Sequence, residues 1–127
     1  MELLSKKEID ELTAKYPLYS QESKDGDALA LYHLFLGSTD WYVIEGSSQG
    51  DDVEFFGLVQ MDDDVELGYF TLRELERLAV PVHDDTGATD FTAHVEKDLH
   101  FEPTPLKDLD GERVRVWLES MGYVDKQ

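Results

Sequence analysis

Four histidines, His33, His83, His94 and His100, and the run Asp62-Asp63-Asp64 with Glu66 are the side chains whose types could ligate a metal or move a proton. Zinc sites draw on histidines at fixed spacing, as in a helical HExxH, and no two of these four stand so. The segment His83-Asp84-Asp85 mixes ligand types, but in a stretch rich in turn residues. His33 lies inside an apolar run, where an imidazole is expected as a hydrogen-bonded core or edge residue. Calcium needs several oxygens converging on one point, whereas adjacent carboxylates on a tight turn diverge. The twelve-residue loop with a central glycine and a terminal glutamate is also absent, so the acidic run reads as a solvated hairpin tip. No phosphate loop, dinucleotide fingerprint or nucleophile elbow occurs, and Ser20, Ser47 and Ser48 sit in polar stretches. Carboxylate pairs can be drawn almost anywhere in so acidic a chain, which robs them of specificity. No catalytic residue, metal site or cofactor is therefore expected.

The elements that must position these side chains are drawn from 127 residues, enough for one domain with a real core. Aspartate and glutamate number 29 against 11 lysines and arginines, a net charge of −18. That balance opposes direct nucleic-acid binding, which depends on cations displacing counterions from phosphates. The acids are scattered along the chain, which predicts a coat suited to a salt-rich solvent, where screening is short-ranged. The absence of cysteine excludes disulfides, thiolate metal sites and cysteine nucleophiles. The segment Met1-Glu2-Leu3-Leu4-Ser5-Lys6-Lys7-Glu8 lacks the pattern of a secretory signal, and the longest apolar run, Ala28 to Leu36, is far too short to span a bilayer. A cytoplasmic protein without membrane association is the expectation.

Ser5 with Glu8 forms a capping-box pattern, flanked by Leu4 and Ile9 at staple positions, so a helix should start there and end before Pro17. Residues 20–27 read as a loop, and 28–36 as one central strand. Trp41-Tyr42-Val43-Ile44 should pair back on it, followed by a polar loop over 46–52. Strands are predicted at 53–61 and 66–70, completing a meander. Thr71 with Glu74 caps a second helix, whose pattern Pro81 stops. Residues 83–93 read as a long loop or insertion, and 99–102 as an edge strand. Val114, Trp117, Leu118 and Met121 share a helical face, and Gly122-Tyr123 has the pattern of a Schellman stop. The fold class is thus α+β, an antiparallel sheet of four or five strands packed with two or three short helices.

Four segments taken in order, PLYSQE at 17–22, FFGLV at 55–59, ELGYFTLRELE at 66–76 and DLHFEPTPL at 98–106, with a WY pair at 41–42, resemble a bacterial family of unknown function, DUF2958. The resemblance covers 3–109 of a single domain spanning 1–127 and leaves the helix in 110–127 outside it. It brings no activity; members found near plasmid and integrative-element genes imply an accessory interaction role. Tyr19, Gln21, Glu22, Trp41, Glu66, Gly68, Tyr69, Glu76, Asp98 and Pro103 fall in matching segments, and the aromatics and glycines among them are accounted for as core and turn residues. The polar members are not, and the resemblance points to an interaction surface of Tyr19, Gln21, Glu22, Glu66 and Asp98, centred on the 20–24 loop. The expectation is a non-catalytic binding or accessory protein with a salt-adapted surface and a protein partner. A DNA mimic occupying a basic DNA-binding protein is the alternative, and an enzyme the weaker one. The sequence assigns no oligomeric state.

Overall fold

The capping chemistry forms as the sequence dictates. In the computed structural model, which describes residues 2–83, 85–87 and 90–125, helix α1 spans Lys6–Lys15 behind a complete Ser5–Glu8 capping box. Leu4 and Ile9 pack into the same cluster, as a hydrophobic staple requires. The strands are β1 (Leu29–Ala30), β2 (Tyr32–Leu36), β3 (Thr39–Gln49), β4 (Asp52–Met61) and β5 (Asp64–Thr71). Helix α2 (Leu72–Arg77) follows behind a second capping box, Thr71–Glu74. Then come β6 (Ala79–His83), β7 (Asp90–His94), β8 (Glu96–Lys97), β9 (Thr104–Pro105) and helix α3 (Glu112–Met121). The main sheet is antiparallel with order β5-β4-β3-β2-β8, so the α+β class with a five-stranded sheet stands. No helix among the described residues is long and apolar enough to cross a membrane.

Alternation along the strands gives the sheet two buried faces. Leu34, Trp41, Val43, Val53, Phe55 and Phe70 meet Leu12 of α1 and Leu72 and Leu75 of α2. Tyr42, Ile44 and Leu58 meet Leu106, Leu109 and the α3 residues Val114 and Leu118. Helix α3 therefore closes a core face that the preceding residues leave apolar. It ends as its sequence predicts, with Gly122 at φ +76° and the Tyr123 amide donating to the Leu118 carbonyl.

Several expectations are corrected by long-range pairing. The run 28–36 is two strands: β1 pairs with β9 outside the main sheet, and the chain enters the sheet only at Tyr32. The polar stretch 46–49 is the second half of β3, held extended by pairing with Asp52–Phe55 of β4, so only the Gly50 turn separates them. Helix α2 stops at Arg77, before Pro81. The expected loop at 83–93 is part of a β6–β7 hairpin, in which Pro81 sits on a strand that pairs on one side only; residues 84, 88 and 89 lie outside the described residues. The expected edge strand at 99–102 does not form: the chain turns over 98–101, where the Asp98 carboxylate accepts from the His100 amide at 3.0 Å, and the edge is β8 instead.

Candidate functional site

The loop after α1 is built from polar side chains that the fold buries. Tyr16 caps the helix, Pro17 prevents its continuation, and the chain turns back toward β3 through Pro17–Glu22. Opposite it, β3 carries a bulge: Val43 pairs with Gly57 and Glu45 with Phe56, leaving Ile44 as the extra residue. Two consecutive residues, Ile44 and Glu45, thereby line one cleft. The Glu45 carboxylate, only 3% exposed, accepts from the Tyr19 amide at 2.8 Å and the Gln21 amide at 2.7 Å. The Ser47 hydroxyl accepts from the Leu18 amide at 3.0 Å. Gln21 completes the frame: its amide donates to the Leu29 and Ile44 carbonyls and accepts from the Leu29 N–H.

This frame fixes Tyr19 at φ +76°, a conformation that costs a residue with a side chain roughly 1 kcal/mol or more. Tyr19 is nonetheless 63% exposed, so its ring gains little from burial in return. It stands beside Tyr69 of β5, itself 53% exposed. A hydrogen bond that the Tyr69 hydroxyl donates to Tyr19, then desolvation and the charges of Glu45 and Glu54, raises the Tyr69 phenol above its ordinary value. Both rings line a cleft of about 310 Å³, together with Ile44, Leu67, Leu106, Phe56 and Tyr123. Its ionisable lining is acidic: Glu22, Asp25 and Glu45 besides the phenols.

A second titratable centre sits further along the same sheet face. His33 of β2 contacts Asp40 through Nε2 at 2.7 Å and Asp98 through Nδ1 at 3.0 Å, and its ring stacks on Tyr42 at 4.6 Å. The bond to His33, joined by that from the His100 amide, holds the Asp98 carboxyl below the usual range. Burial, with the charges of Asp40, Asp110 and Asp98, pushes the Tyr42 phenol up to about 12. Both ring nitrogens of His33 are engaged, so the cluster ties β2 to β3 and to the 98–101 turn; the sequence expectation of a hydrogen-bonded histidine fits this geometry.

The five residues assigned to one surface fall in different places. Tyr19, Gln21 and Glu22 line the cleft. Gln21 is 2% exposed and spends its amide on the backbone, so it supports that surface from beneath and is not itself exposed. Asp98 belongs to the His33 cluster, and Glu66 is exposed on β5, one residue out of the alternation that places Leu67 and Tyr69 in the cleft. Tyr69, accounted for as core from the sequence, is a surface residue. The sequence offers one signal for Glu45, a carboxylate directly after the apolar run Trp41–Ile44. At the acidic turn, Arg113 of α3 bonds to the Asp62 carbonyl and pairs with the Asp63 carboxylate at 2.8 Å.

Compared with known proteins, residues 3–108 match the model of a family described as a protein of unknown function, DUF2958. No curated protein and no solved structure matches.

Proposed function

We propose that this chain, which belongs to the DUF2958 family, is a non-catalytic binding protein whose working face is the Tyr19–Tyr69 cleft. One observation carries the reading: a buried polar frame holds an exposed tyrosine in a strained backbone conformation, and strain of that kind persists where surrounding structure enforces it for a purpose. Binding is favoured over catalysis because the chemically capable groups are occupied. Each Glu45 oxygen holds a backbone amide, and both His33 nitrogens meet carboxylates.

The acidic surface has a separate role in this account. Exposed carboxylates occur on α1 at Asp10 and Glu11, beside the cleft at Asp25, at the Asp62–Asp64 turn, on α2 at Glu74, on β8 at Glu96 and on α3 at Glu112. A coat spread over so many elements supports solubility in a salt-rich cytoplasm, whereas a DNA mimic would gather its charge along one ridge.

The test is where a partner makes contact. A photocrosslinking phenylalanine analogue at position 19, in the cells that make the protein, should yield a discrete protein adduct that Tyr69→Ala removes. The same analogue at Val116, exposed on α3, should not. Adducts of equal yield from both positions, or none from position 19, would refute the proposal.

A further inference from the structure

We propose that the cleft receives the cationic side chain of a lysine or arginine presented by a protein partner. The inference deepens the binding reading and rests on it. Its starting point is Glu45, a carboxylate 3% exposed and hydrogen-bonded to two backbone amides, yet without a counter-charge: among the described residues no lysine, arginine or histidine pairs with it. An ionised carboxylate is costly to bury unless it is paired as well as hydrogen-bonded. The chain places cations against other carboxylates, Lys97 on Glu8, Arg73 on Asp51, Lys107 on Asp27 and Arg113 on Asp63. None of these cations lines the cleft.

The walls fit the missing charge. Tyr19, Tyr69, Phe56 and Tyr123 line the cleft, and an aromatic face attracts a cation through its quadrupole. The apolar lining residues Ile44, Leu67 and Leu106 suit the methylene stem of a long basic side chain, which packs on apolar surface while its head seeks charge. Glu22 and Asp25 at the rim add negative potential, and anionic ligands are opposed by all three carboxylates. A volume of about 310 Å³ is at the small end for ligand sites, so it suits a side chain better than a nucleotide. A small free cation would leave the outer faces of Tyr19 and Tyr69 wet, since both rings are more than half exposed. The flanking surface of a protein partner would cover them.

The experiment follows the tyrosine ring signals of the full chain by NMR during titration with three probes: acetyl-Gly-Lys-Gly-amide, its norleucine counterpart and spermidine. The lysine peptide is expected to shift Tyr19 and Tyr69 and to bind about tenfold more tightly than the norleucine peptide, the scale of a partly desolvated cation–π contact. Tyr69→Leu should remove most of that preference and Tyr69→Phe should keep it, because phenylalanine retains the quadrupole. Glu45→Gln is a weaker probe because it disturbs the loop, so the Tyr69 pair carries the test. Equal affinity for the lysine and norleucine peptides, shifts spread over the acidic surface and indifferent to Tyr69→Leu, or no shifts at the two rings would overturn the inference. Tighter binding of spermidine than of the lysine peptide at these rings would overturn the assignment to a protein side chain. If any of these results accompanies a Tyr69-dependent adduct from position 19, the cation inference alone fails; if the adduct is also absent, the binding reading fails with it.

Discussion

Gly57→Ala is expected to be the most damaging single-methyl substitution in the sheet, costing about 3 kcal/mol or more and leaving little folded protein. Gly57 lies in β4 opposite Val43, beside the bulge. A Cβ there would lie 2.0 Å from the Tyr42 carbonyl oxygen and 3.2 Å from the Phe70 ring. The obstacle is backbone in a paired strand, so no rotamer change relieves it. Separating the strands would disturb the β3–β4 ladder and the bulge that brings Ile44 and Glu45 to the same cleft. Gly68, its partner on β5, is the matched control: a Cβ there meets nothing within 4 Å, and Gly68→Ala should change stability by no more than about 1 kcal/mol. Urea unfolding of the two variants reads the difference directly. Equal midpoints would mean that the Tyr42 carbonyl does not crowd Gly57.

Gln21→Ala should follow closely, with a loss of about 3 kcal/mol. Its side chain makes three hydrogen bonds of 2.8–3.0 Å to the backbone of Leu29 and Ile44, and it is 2% exposed. Truncation leaves three backbone groups short of a partner, and an unsatisfied buried polar group costs roughly 1–3 kcal/mol. Part of that loss is recovered where water enters, which places the total near the lower end of the sum. Glu22→Ala, one residue on and exposed, should fall within about 0.5 kcal/mol of the unmodified protein. Equilibrium unfolding of the pair separates the supporting residue from its surface neighbour. Similar losses in both would remove the distinction.

The features legible in the sequence are those decided locally. Ser5 with Glu8 and Thr71 with Glu74 both form complete capping boxes because donor and acceptor lie within one turn. The Gly122 stop and the β4–β5 hairpin follow from nearby residues in the same way. What sequence reading missed is decided across the fold. Polar Ser47–Gln49 is extended only because β4 pairs with it, and Ala79–His83 is a strand only because Asp90–His94 returns along it.

The candidate site divides along the same line. The segment PLYSQE contributes to the cleft, but its polar residues take opposite roles: Gln21 faces inward and Glu22 outward. Glu45 decides which, from 24 residues away in sequence, and its burial depends on a bulge that no local pattern announces. Tyr69 alternates with Phe70 at the edge of the sheet, and only the sheet order shows which ring is buried.

The central claim is that Tyr19 is held in its conformation for contact with a partner and contributes little to the fold. Urea unfolding of Tyr19→Gly tests it most directly, because glycine adopts φ +76° without a steric penalty and deletes the exposed ring. The account predicts stability unchanged or raised by up to about 1 kcal/mol, the strain released. A loss of more than about 1 kcal/mol would contradict it, because a ring that stabilises the fold by that much belongs to the packing of the loop.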